Sequence, residues 1–313
     1  MVAGLTPGYH VDTLGNRVRR WADGLVPDFN QLVMHSSRIR KLGCLDSLMS
    51  HSHQELAMLQ TREVPAARTE VRPAQRLRVS LASYPSEVVA AQRLRWQVFA
   101  EELGARLPSR EHGIDRDLFD PYCEHLIVRD EVGGRVVGTY RILTPEAARR
   151  VGSYYSDGEF DLTRLAHLKP RMVEVGRSCI DPEYRNSAAV IALLWSGLAQ
   201  FMMRNGYEYL IGCASIGMAD GGHGAAHIFT RIADHMAPLE YRVFPRYPLP
   251  LDRLDASVAV DTPPLLKGYL RAGAYVCGDP AWDPDFNTAD LPVLLPMSRL
   301  NPRYARHFVE RSG

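Results

Sequence analysis

The chain has few cysteines and almost no net charge. Its 5 cysteines in 313 residues are widely spaced and form no CxxC pair, which argues against a disulfide framework and a structural zinc site. Lysine and arginine number 37 against 36 aspartates and glutamates, a formal net charge of +1, so no overall field attracts a nucleic-acid backbone. We therefore expect no nucleic-acid partner and a reducing, cytoplasmic compartment.

Long apolar runs are also missing. The most apolar stretch, residues 188–203, is interrupted by Ser196, Gly197 and Gln200 and is shorter than a membrane-spanning helix. The first residues show no basic start followed by an apolar segment and a cleavage site, so we expect no secretion signal. We interpret 188–203 as a buried core helix. Any membrane contact should then be peripheral and transient, at the inner face of the membrane.

Two regions of the chain differ in texture. Residues 1–75 have mixed polarity and one predicted helix near residues 37–60, and we treat them as an N-terminal extension that is partly helical or disordered. Within it, apolar residues recur every third position from Ile39 to Leu48 beside basic ones, which suits either membrane contact or packing on the domain. Residues 76–313 are predicted to form one domain with its own C-terminal segment.

Strand and helix signals alternate from residue 77 onward. In chain order we predict strand 77–81, helix 86–103, a hairpin of 125–129 and 135–143, strand 172–180, helix 188–205, strand 207–214, helix 225–235, strand 240–244, helix 265–271 and strand 292–296. This order predicts a mixed sheet flanked by helices, in the α/β (α+β) class.

Four short motifs carry a resemblance to a known superfamily. They are RWQVF from Arg95, DLFD from Asp117, GTYRIL from Gly138 and EVGRS from Glu174, and they resemble in order and spacing the motifs of acyl-homoserine-lactone synthases, which are GNAT relatives. Residues 212–215 and the tail, residues 263–269 through 301–304, resemble the L-ornithine Nα-acyltransferases more closely. The resemblance covers about residues 77–305. It implies a GNAT-type, mostly antiparallel twisted sheet.

The resemblance also implies an activity. Such an enzyme transfers a long fatty acyl chain, with or without a 3-hydroxyl group, from acyl carrier protein to the α-amine of L-ornithine, giving lyso-ornithine lipid. It implies no bound cofactor and no metal, since the donor itself carries 4'-phosphopantetheine on the carrier protein.

Strand 172–180 contains two charges in an otherwise apolar segment. Glu174 and Arg177 would face opposite sides of a regular strand, but Gly176 between them is typical of a β-bulge, which could return both to one face. Buried charges of this kind indicate a functional site or, alternatively, an internal ion pair. By resemblance, Glu174 is the general base, and Arg177, together with Arg141, positions the carboxylate of the acceptor.

Arg95 projects from the middle of the apolar face of helix 86–103, so it needs a carboxylate or carbonyl partner. The following loop supplies Asp115, Asp117 and Asp120. A clamp that only shapes the loop and a substrate-binding role for Arg95 both stay open. By resemblance, Asp117 and Asp120 belong to the catalytic pocket around the amine, and Ser178 to the substrate-binding residues.

The turn before helix 188–205 departs from GNAT enzymes that use acetyl-CoA. Their glycine-rich turn binds a pyrophosphate through backbone amides, whereas the equivalent donor-binding residues here are Arg185, Asn186, Ser187 and Ala188, followed by Val190 at a second expected glycine position. We expect the larger side chains to hinder a pyrophosphate, which favours acyl carrier protein over coenzyme A. Basic residues that could meet this acidic partner are Arg149, Arg150, Lys169 and Arg171, besides Arg185.

The sequence leaves other functions open. Lysine, glutamine or glycine could replace ornithine, the chain could make an acyl-homoserine-lactone-like signal, or it could be a non-enzymatic, haemolysin-like module. His125 and Asp130 match the H-x-x-x-x-D pattern of glycerolipid acyltransferases, although His125 opens a predicted strand. His223 and His227, preceded by Asp220, stand four residues apart as metal ligands can, but no third strong ligand follows. We interpret the last two cysteines of interest, Cys179 and Cys213, as core thiols.

Overall fold

The computed structural model describes residues 76–301. The predicted helix at residues 37–60 and its apolar stripe lie outside the described residues, so the division at residue 75 stays a prediction. Among residues 76–301, no helix is long and apolar enough to cross a membrane.

Five α-helices and ten strands make up the described part of the chain. The helices are α1 (Pro85–Trp96), α2 (Pro145–Val151), α3 (Ala188–Arg204), α4 (His223–Arg231) and α5 (Pro264–Ala272). The strands are β1 (Leu77–Leu81), β2 (Glu124–Asp130), β3 (Arg135–Leu143), β4 (Phe160–Asp161), β5 (Met172–Ile180), β6 (Tyr209–Gly217), β7 (Phe244–Pro245), β8 (Tyr275–Val276), β9 (Ala281–Asp283) and β10 (Thr288–Pro296).

Eight strands form one sheet in the order β1-β2-β3-β5-β6-β10-β8, with β9 also paired to β10. All pairings are antiparallel except β5 with β6. β4 and β7 form a separate two-stranded sheet. The mixed, mostly antiparallel sheet flanked by helices that the sequence predicted is therefore confirmed.

α1 and α3 cover opposite faces of the sheet. Along β2, Leu126 and Val128 belong to the apolar core beneath α3, while Ile127 between them packs with residues of α1. This alternation follows from the two-residue period of a strand. α3 lies close to the sheet because β3 has a glycine beneath it: a Cβ on Gly138 would lie only 2.5 Å from the Cγ1 of Val190.

β5 contains the bulge that the sequence predicted. Arg141 pairs with Gly176 while Thr139 pairs with Cys179, so β5 has one residue more than β3 between these two pairs. Arg177, next to Gly176, takes up the irregularity with a left-handed backbone, φ 50°. The prediction of a bulge beside Gly176 is confirmed.

β5 and β6 separate soon after they pair. Their parallel register covers three residue pairs, from Met172 opposite Tyr209 to Glu174 opposite Ile211. At the end of the paired segment Gly212 lies so close to β5 that a Cβ would meet the carbonyl oxygen of Val175 at 2.6 Å. The strands splay beyond this point, and the gap between them holds the cavity described below.

Several element bounds differ from the prediction, and three differences stand out. The predicted strand 240–244 is instead a 3-10 turn, Leu239–Tyr241, followed by the short β7; Pro238 and Pro245 bracket it and lack the N–H that a longer ladder needs. β10 begins four residues earlier than predicted because it pairs with β6 along its whole length. The predicted helix 86–103 is instead α1 followed by a π-helix, Gln97–Glu102. The π-helix rotates the last turn and leaves Leu103 62% exposed.

Candidate active site

The splayed strands enclose a cavity of about 260 Å³. Residues from both faces of the sheet line it, so the cavity extends through the gap between β5 and β6. Its apolar and aromatic lining residues include Phe99, Leu103, Tyr140, Val175, Leu265, Tyr269 and Phe286. Its polar lining residues are Arg141, Ser156, Glu159, Glu174, Arg177, Ser178, Cys213, Ser215, Asp283 and Asp290.

Glu174 lines the cavity and is the last residue of β5 that pairs with β6. Its Oε2 accepts a hydrogen bond from the backbone N–H of Tyr155 at 2.6 Å, and its Oε1 accepts one from the backbone N–H of Ser156 at 2.8 Å and another from the Ser156 hydroxyl. Burial raises the pKa of Glu174, and these hydrogen bonds oppose the rise. The side chain is thus held rigidly and has a carboxyl group better suited to proton transfer than an exposed glutamate.

Arg95 is fully buried behind the cavity, with 0% of its surface exposed. Its Nε donates to Asp115 Oδ2 at 2.8 Å, and its Nη2 donates to Asp120 Oδ1 at 2.6 Å. Arg95 does not line the cavity, so it cannot contact a substrate there and the substrate-binding role is not supported. Its contacts fit the alternative, a clamp that fixes the loop between α1 and β2.

Arg141 and Arg177 connect this clamp to the cavity. Arg141 Nη1 donates to Asp117 Oδ2 at 2.7 Å and to Asp120 Oδ2 at 3.0 Å. Arg177 Nε lies 3.2 Å from Asp115 Oδ2. The Arg177 guanidinium is stacked on two aromatic rings, those of Tyr155 and Phe286, at 5.0 and 4.7 Å from their centroids.

The loop carboxylates are committed to these cations. Burial alone would raise the pKa of Asp120, but Arg95 and Arg141 outweigh it and hold this pKa well below its usual range. Asp117 Oδ1 accepts from the backbone N–H groups of Phe119 and Asp120 at 2.9 and 3.1 Å, and its Oδ2 accepts from Arg141. Neither carboxylate lines the cavity. Their geometry fits positioning of the two arginines better than proton transfer.

A second group of carboxylates was missed by the sequence analysis. Oxygen atoms of Glu159, Asp283 and Asp290 lie within 4.8 Å of one another, and all three residues line the cavity. Glu159 precedes the two-residue β4, and Asp290 lies in the part of β10 that the strand prediction left out. The only sequence signal was Asp290 two residues before an apolar strand, and no local pattern relates it to Glu159. We call these three residues the acidic cluster.

The two cysteines expected in the core differ in position. Cys179 is buried, and burial raises its pKa to about 12. Cys213 lines the cavity beside Ser156, whose Oγ lies 3.5 Å from its Sγ, and burial raises its pKa well above the usual value. Neither thiol is readily ionised near neutral pH, so neither has the thiolate character of a catalytic nucleophile.

The histidine motifs form no site of their own. His125 lies at the start of β2 and contacts the carbonyl of Asp120, whereas Asp130 lies at the other end of the same strand and accepts from the Tyr184 hydroxyl at 2.6 Å. His223 Nδ1 accepts from the backbone N–H of Asp255, and His227 Nδ1 contacts the carbonyl of Ala256, each at 2.9 Å. These side chains have structural partners, so neither an H-x-x-x-x-D pair nor a His-His metal site is assembled.

Comparisons with known proteins bear on this geometry. The acetyltransferase (GNAT) domain description matches residues 94–196. The chain is 36% identical over 249 residues to an L-ornithine N(alpha)-acyltransferase of Brucella abortus (strain 2308), covering 74% of this chain and 88% of the relative. It is 35% identical over 246 residues to one of Rhodobacter capsulatus, covering 74% of this chain and 95% of the relative. The chain belongs to the L-ornithine Nα-acyltransferase family.

A solved structure also resembles the chain. FeeM, an N-acyl amino acid synthase from uncultured soil microbes, aligns at 15% identity with a TM-score of 0.45, covering 75% of this chain and 96% of that chain. Membership of the L-ornithine Nα-acyltransferase family makes the protein an acyltransferase with a GNAT domain. This outcome excludes the non-enzymatic, haemolysin-like module that the sequence left open.

The residues that the family resemblance singled out fall into three places. Glu174, Arg141, Arg177 and Ser178 line the cavity. Asp117, Asp120 and Arg95 form the buried clamp behind it. Arg185, Asn186, Ser187 and Ala188 form the turn at the start of α3, outside the cavity lining.

The turn at α3 differs from the sequence expectation in one respect. Ser187 caps the helix by accepting from the N–H of Ala189, and Arg185 pairs with Glu102 while donating to the carbonyl of Ile180. Val190, expected to crowd the turn, is fully buried in the core against Gly138. Its side chain points away from an approaching phosphate, so only Ala188 still supports the argument against a pyrophosphate.

Proposed function

We propose that this acyltransferase transfers a long fatty acyl chain from acyl carrier protein to the α-amine of L-ornithine, giving lyso-ornithine lipid. The observation that carries the proposal is Glu174, a buried carboxylate with a raised pKa at the point where β5 and β6 separate. The names of the relatives supply the acceptor, since both act on L-ornithine at its α-nitrogen.

The reaction needs few groups. An unprotonated α-amine attacks the thioester carbonyl, and Glu174 accepts a proton from the nitrogen as the C–N bond forms. The tetrahedral intermediate then collapses: the C–S bond breaks, the proton passes to the departing pantetheine sulfur, and an amide remains. The raised pKa of Glu174 suits both taking up and releasing this proton. The high pKa of Cys213 argues against a covalent acyl-cysteine step.

The cavity has polar and apolar lining residues that suit the two substrates. Arg177, fixed between Tyr155 and Phe286, faces the cavity and is suited to bind the acceptor's carboxylate, with Arg141 beside it. Past Glu174, β5 no longer pairs with β6, so its backbone groups on that edge are available to the amides of a pantetheine arm. Apolar lining residues, including Phe99 and Leu265, would contact the acyl chain.

Purified protein tests the proposal directly. It would be incubated with a long-chain acyl-(acyl carrier protein), or with the matching acyl-CoA, and a panel of ornithine, lysine, glutamine and glycine, with products identified by mass spectrometry. We expect an amide on the α-nitrogen of ornithine and a higher kcat/KM with the carrier-protein donor. Carrier protein without its pantetheine arm, mixed with free fatty acid, is the matched control and should give no product.

Three outcomes would contradict different parts of the proposal. Absence of ornithine acylation with either donor would reject the acceptor and the activity. Equal kcat/KM values for the two donors would reject the carrier-protein preference while leaving the acylation of ornithine intact. A lactone among the products would point instead to signal synthesis.

A further inference from the structure

The acidic cluster is a site that the proposed chemistry does not use. Its members come from separate segments: Glu159 before β4, Asp283 at the end of β9 and Asp290 in β10. β10 aligns them, since Asp290 pairs with Ser215 of β6 on one side while Thr288 pairs with Asp283 on the other. The sheet register thus places Asp283 and Asp290 together, and Glu159, from outside this sheet, brings a third carboxylate to the same part of the cavity.

The cluster has acceptor capacity that the protein leaves unfilled. Asp290 is only 4% exposed and lies near the side chains of Ser215, Thr288 and Glu159, yet its Oδ1 has no hydrogen-bond partner. The buried Oε2 of Glu159, whose carboxyl lies near the Cys213 thiol, has none either. Asp283 differs, because its Oδ1 accepts from the backbone N–H groups of Asp285 and Phe286 at 2.8 and 3.1 Å. Unpaired buried oxygens are costly, so their presence in a cavity indicates a missing ligand.

The cluster also lacks a counter-charge. Arg95, Arg141 and Arg177 are paired with Asp115, Asp117 and Asp120. No lysine or arginine of residues 76–301 pairs with Glu159 or Asp290. Burial and mutual repulsion raise the pKa of Glu159 to about 9 and that of Asp290 to about 6. The missing ligand is therefore a cation and a hydrogen-bond donor.

We infer that the acidic cluster binds the side-chain ammonium of the acceptor amino acid and so selects a cationic acceptor. This inference rests on the proposed function, in which the α-amine of the acceptor lies at Glu174. An ammonium group carries three N–H donors and no acceptor, which matches three converging carboxylates. Mg²⁺ and Ca²⁺ require about six oxygen ligands, and one oxygen of Asp283 is already engaged by backbone.

The position of the cluster relative to Glu174 supports a ligand with two amines. Ser156 Oγ contacts both Glu174 and the Cys213 sulfur, and Cys213 in turn lies beside Glu159. Ser156 and Cys213 thus separate two carboxylate sites within one cavity. One site would hold the reacting α-amine and the other the non-reacting terminal amine of the same diamino acid.

The test compares ornithine with norvaline, which has the same carbon chain without the terminal amine. We would measure kcat/KM for both with one acyl donor, in wild type, Glu159→Gln and Asp290→Asn. Wild type should prefer ornithine by about 10²-fold or more, because norvaline leaves buried acceptors unpaired. Each variant should lose at least about 10-fold in kcat/KM for ornithine, chiefly through KM, while turnover of norvaline changes little.

Asp285→Asn is the matched control, since it removes an exposed carboxylate from the same loop, outside the cavity lining. It should keep the wild-type preference. A wild type that acylates ornithine while both cluster variants keep its ornithine-to-norvaline ratio would overturn the inference alone. A wild type that acylates no amino acid would reject the proposed function as well, so the two failures are distinguishable.

A binding measurement without turnover provides a second readout. Ornithine, but not norvaline, should raise the melting temperature of wild-type protein, and this shift should shrink in Asp290→Asn. The same assay with Mg²⁺ or Ca²⁺ alone should give no shift. A metal-dependent shift that disappears in Asp290→Asn, with an unchanged response to ornithine, would assign the cluster to a metal and overturn the inference.

Discussion

At the scale of single residues, the surroundings of each carboxylate decide what it can do. Asp117 and Asp120 accept from arginines and backbone N–H groups and lie behind the cavity. Glu174 lines the cavity, and its partners are neutral donors. A base needs a pKa near the working pH and access to its proton. Of the three carboxylates named from the sequence, only Glu174 lines the cavity, and burial raises its pKa, which favours it as the base.

Glu174→Gln should lower kcat by roughly 10²-fold or more, the usual effect of losing a positioned general base. Its amide nitrogen would face a backbone N–H, of Tyr155 or Ser156, so we also expect a loss of about 1–3 kcal/mol in the free energy of unfolding. Single-turnover rates measured well below the melting temperature separate the two effects. Near-normal kcat in folded Glu174→Gln, with no turnover by Asp117→Asn, would move the base to the loop.

Ser156→Ala is the informative control for Glu174. It removes one donor to the Glu174 carboxylate but keeps the carboxylate itself. Because that hydrogen bond lowers the pKa of Glu174, its loss should shift the acidic limb of the kcat/KM profile to higher pH. Turnover on the alkaline plateau should stay within a few-fold of wild type. An unshifted profile would show that a different group titrates.

At the scale of elements, the loop between α1 and β2 is shaped by charge pairing rather than by regular structure. Arg95→Ala would remove one of the two arginine partners of Asp115 and of Asp120, leaving Arg177 and Arg141. Breaking a buried ion pair in this way typically costs about 3–5 kcal/mol. Displacement of Arg141 and Arg177 should also raise the KM for the acceptor. Thermal unfolding and steady-state kinetics check both effects. A stable Arg95→Ala with an unchanged KM would contradict the clamp.

The splay of β5 and β6 depends on a glycine at its apex. A methyl group at Gly212 would meet the carbonyl oxygen of Val175, a backbone atom that cannot rotate away, so Gly212→Ala should destabilise by about 1–3 kcal/mol. Gly217→Ala, on the same strand with nothing within 4 Å of an added Cβ, is the control and should be tolerated. Equal melting temperatures of the two variants would show that the strands yield at this point.

Elements with a clear periodic pattern of apolar residues were predictable from the sequence, but the acidic cluster was not. The bounds of β1 and β5 match the prediction, and the bulge followed from Gly176 between two charges. The π-helix after α1 could not be foreseen, since apolar spacing assumes a regular helix. Glu159, Asp283 and Asp290 come together only through the tertiary fold, and sequence-local patterns carry no information about contacts between such distant segments.

At the scale of the whole molecule, the net charge is near zero, but two groups of buried carboxylates differ in their counter-charges. Asp115, Asp117 and Asp120 are paired with three arginines, whereas no lysine or arginine of residues 76–301 pairs with Glu159 or Asp290. The charged side chains nearest Glu159 are Asp290, Asp283 and Glu174. The first arrangement stabilises the charged forms of its aspartates, and the second stabilises the protonated forms of its carboxyls. The two groups of carboxylates therefore give opposite dependences of stability on pH.

Glu159→Gln should gain stability relative to wild type as the pH rises. Folded Glu159 holds its proton to about pH 9, while the unfolded chain loses it near the ordinary glutamate value of 4.5, so within this window the folded state binds more protons. The free energy of unfolding then falls with increasing pH, and glutamine, which does not titrate, is spared this loss. The acid-side loss of stability from Asp120 is common to both proteins and cancels in the difference. Melting temperatures without ligand at pH 5 and pH 8.5 should show a larger advantage for the variant at pH 8.5. An equal difference at both pH values would mean that Glu159 is ionised in the folded protein and that an unidentified cation already compensates the acidic cluster.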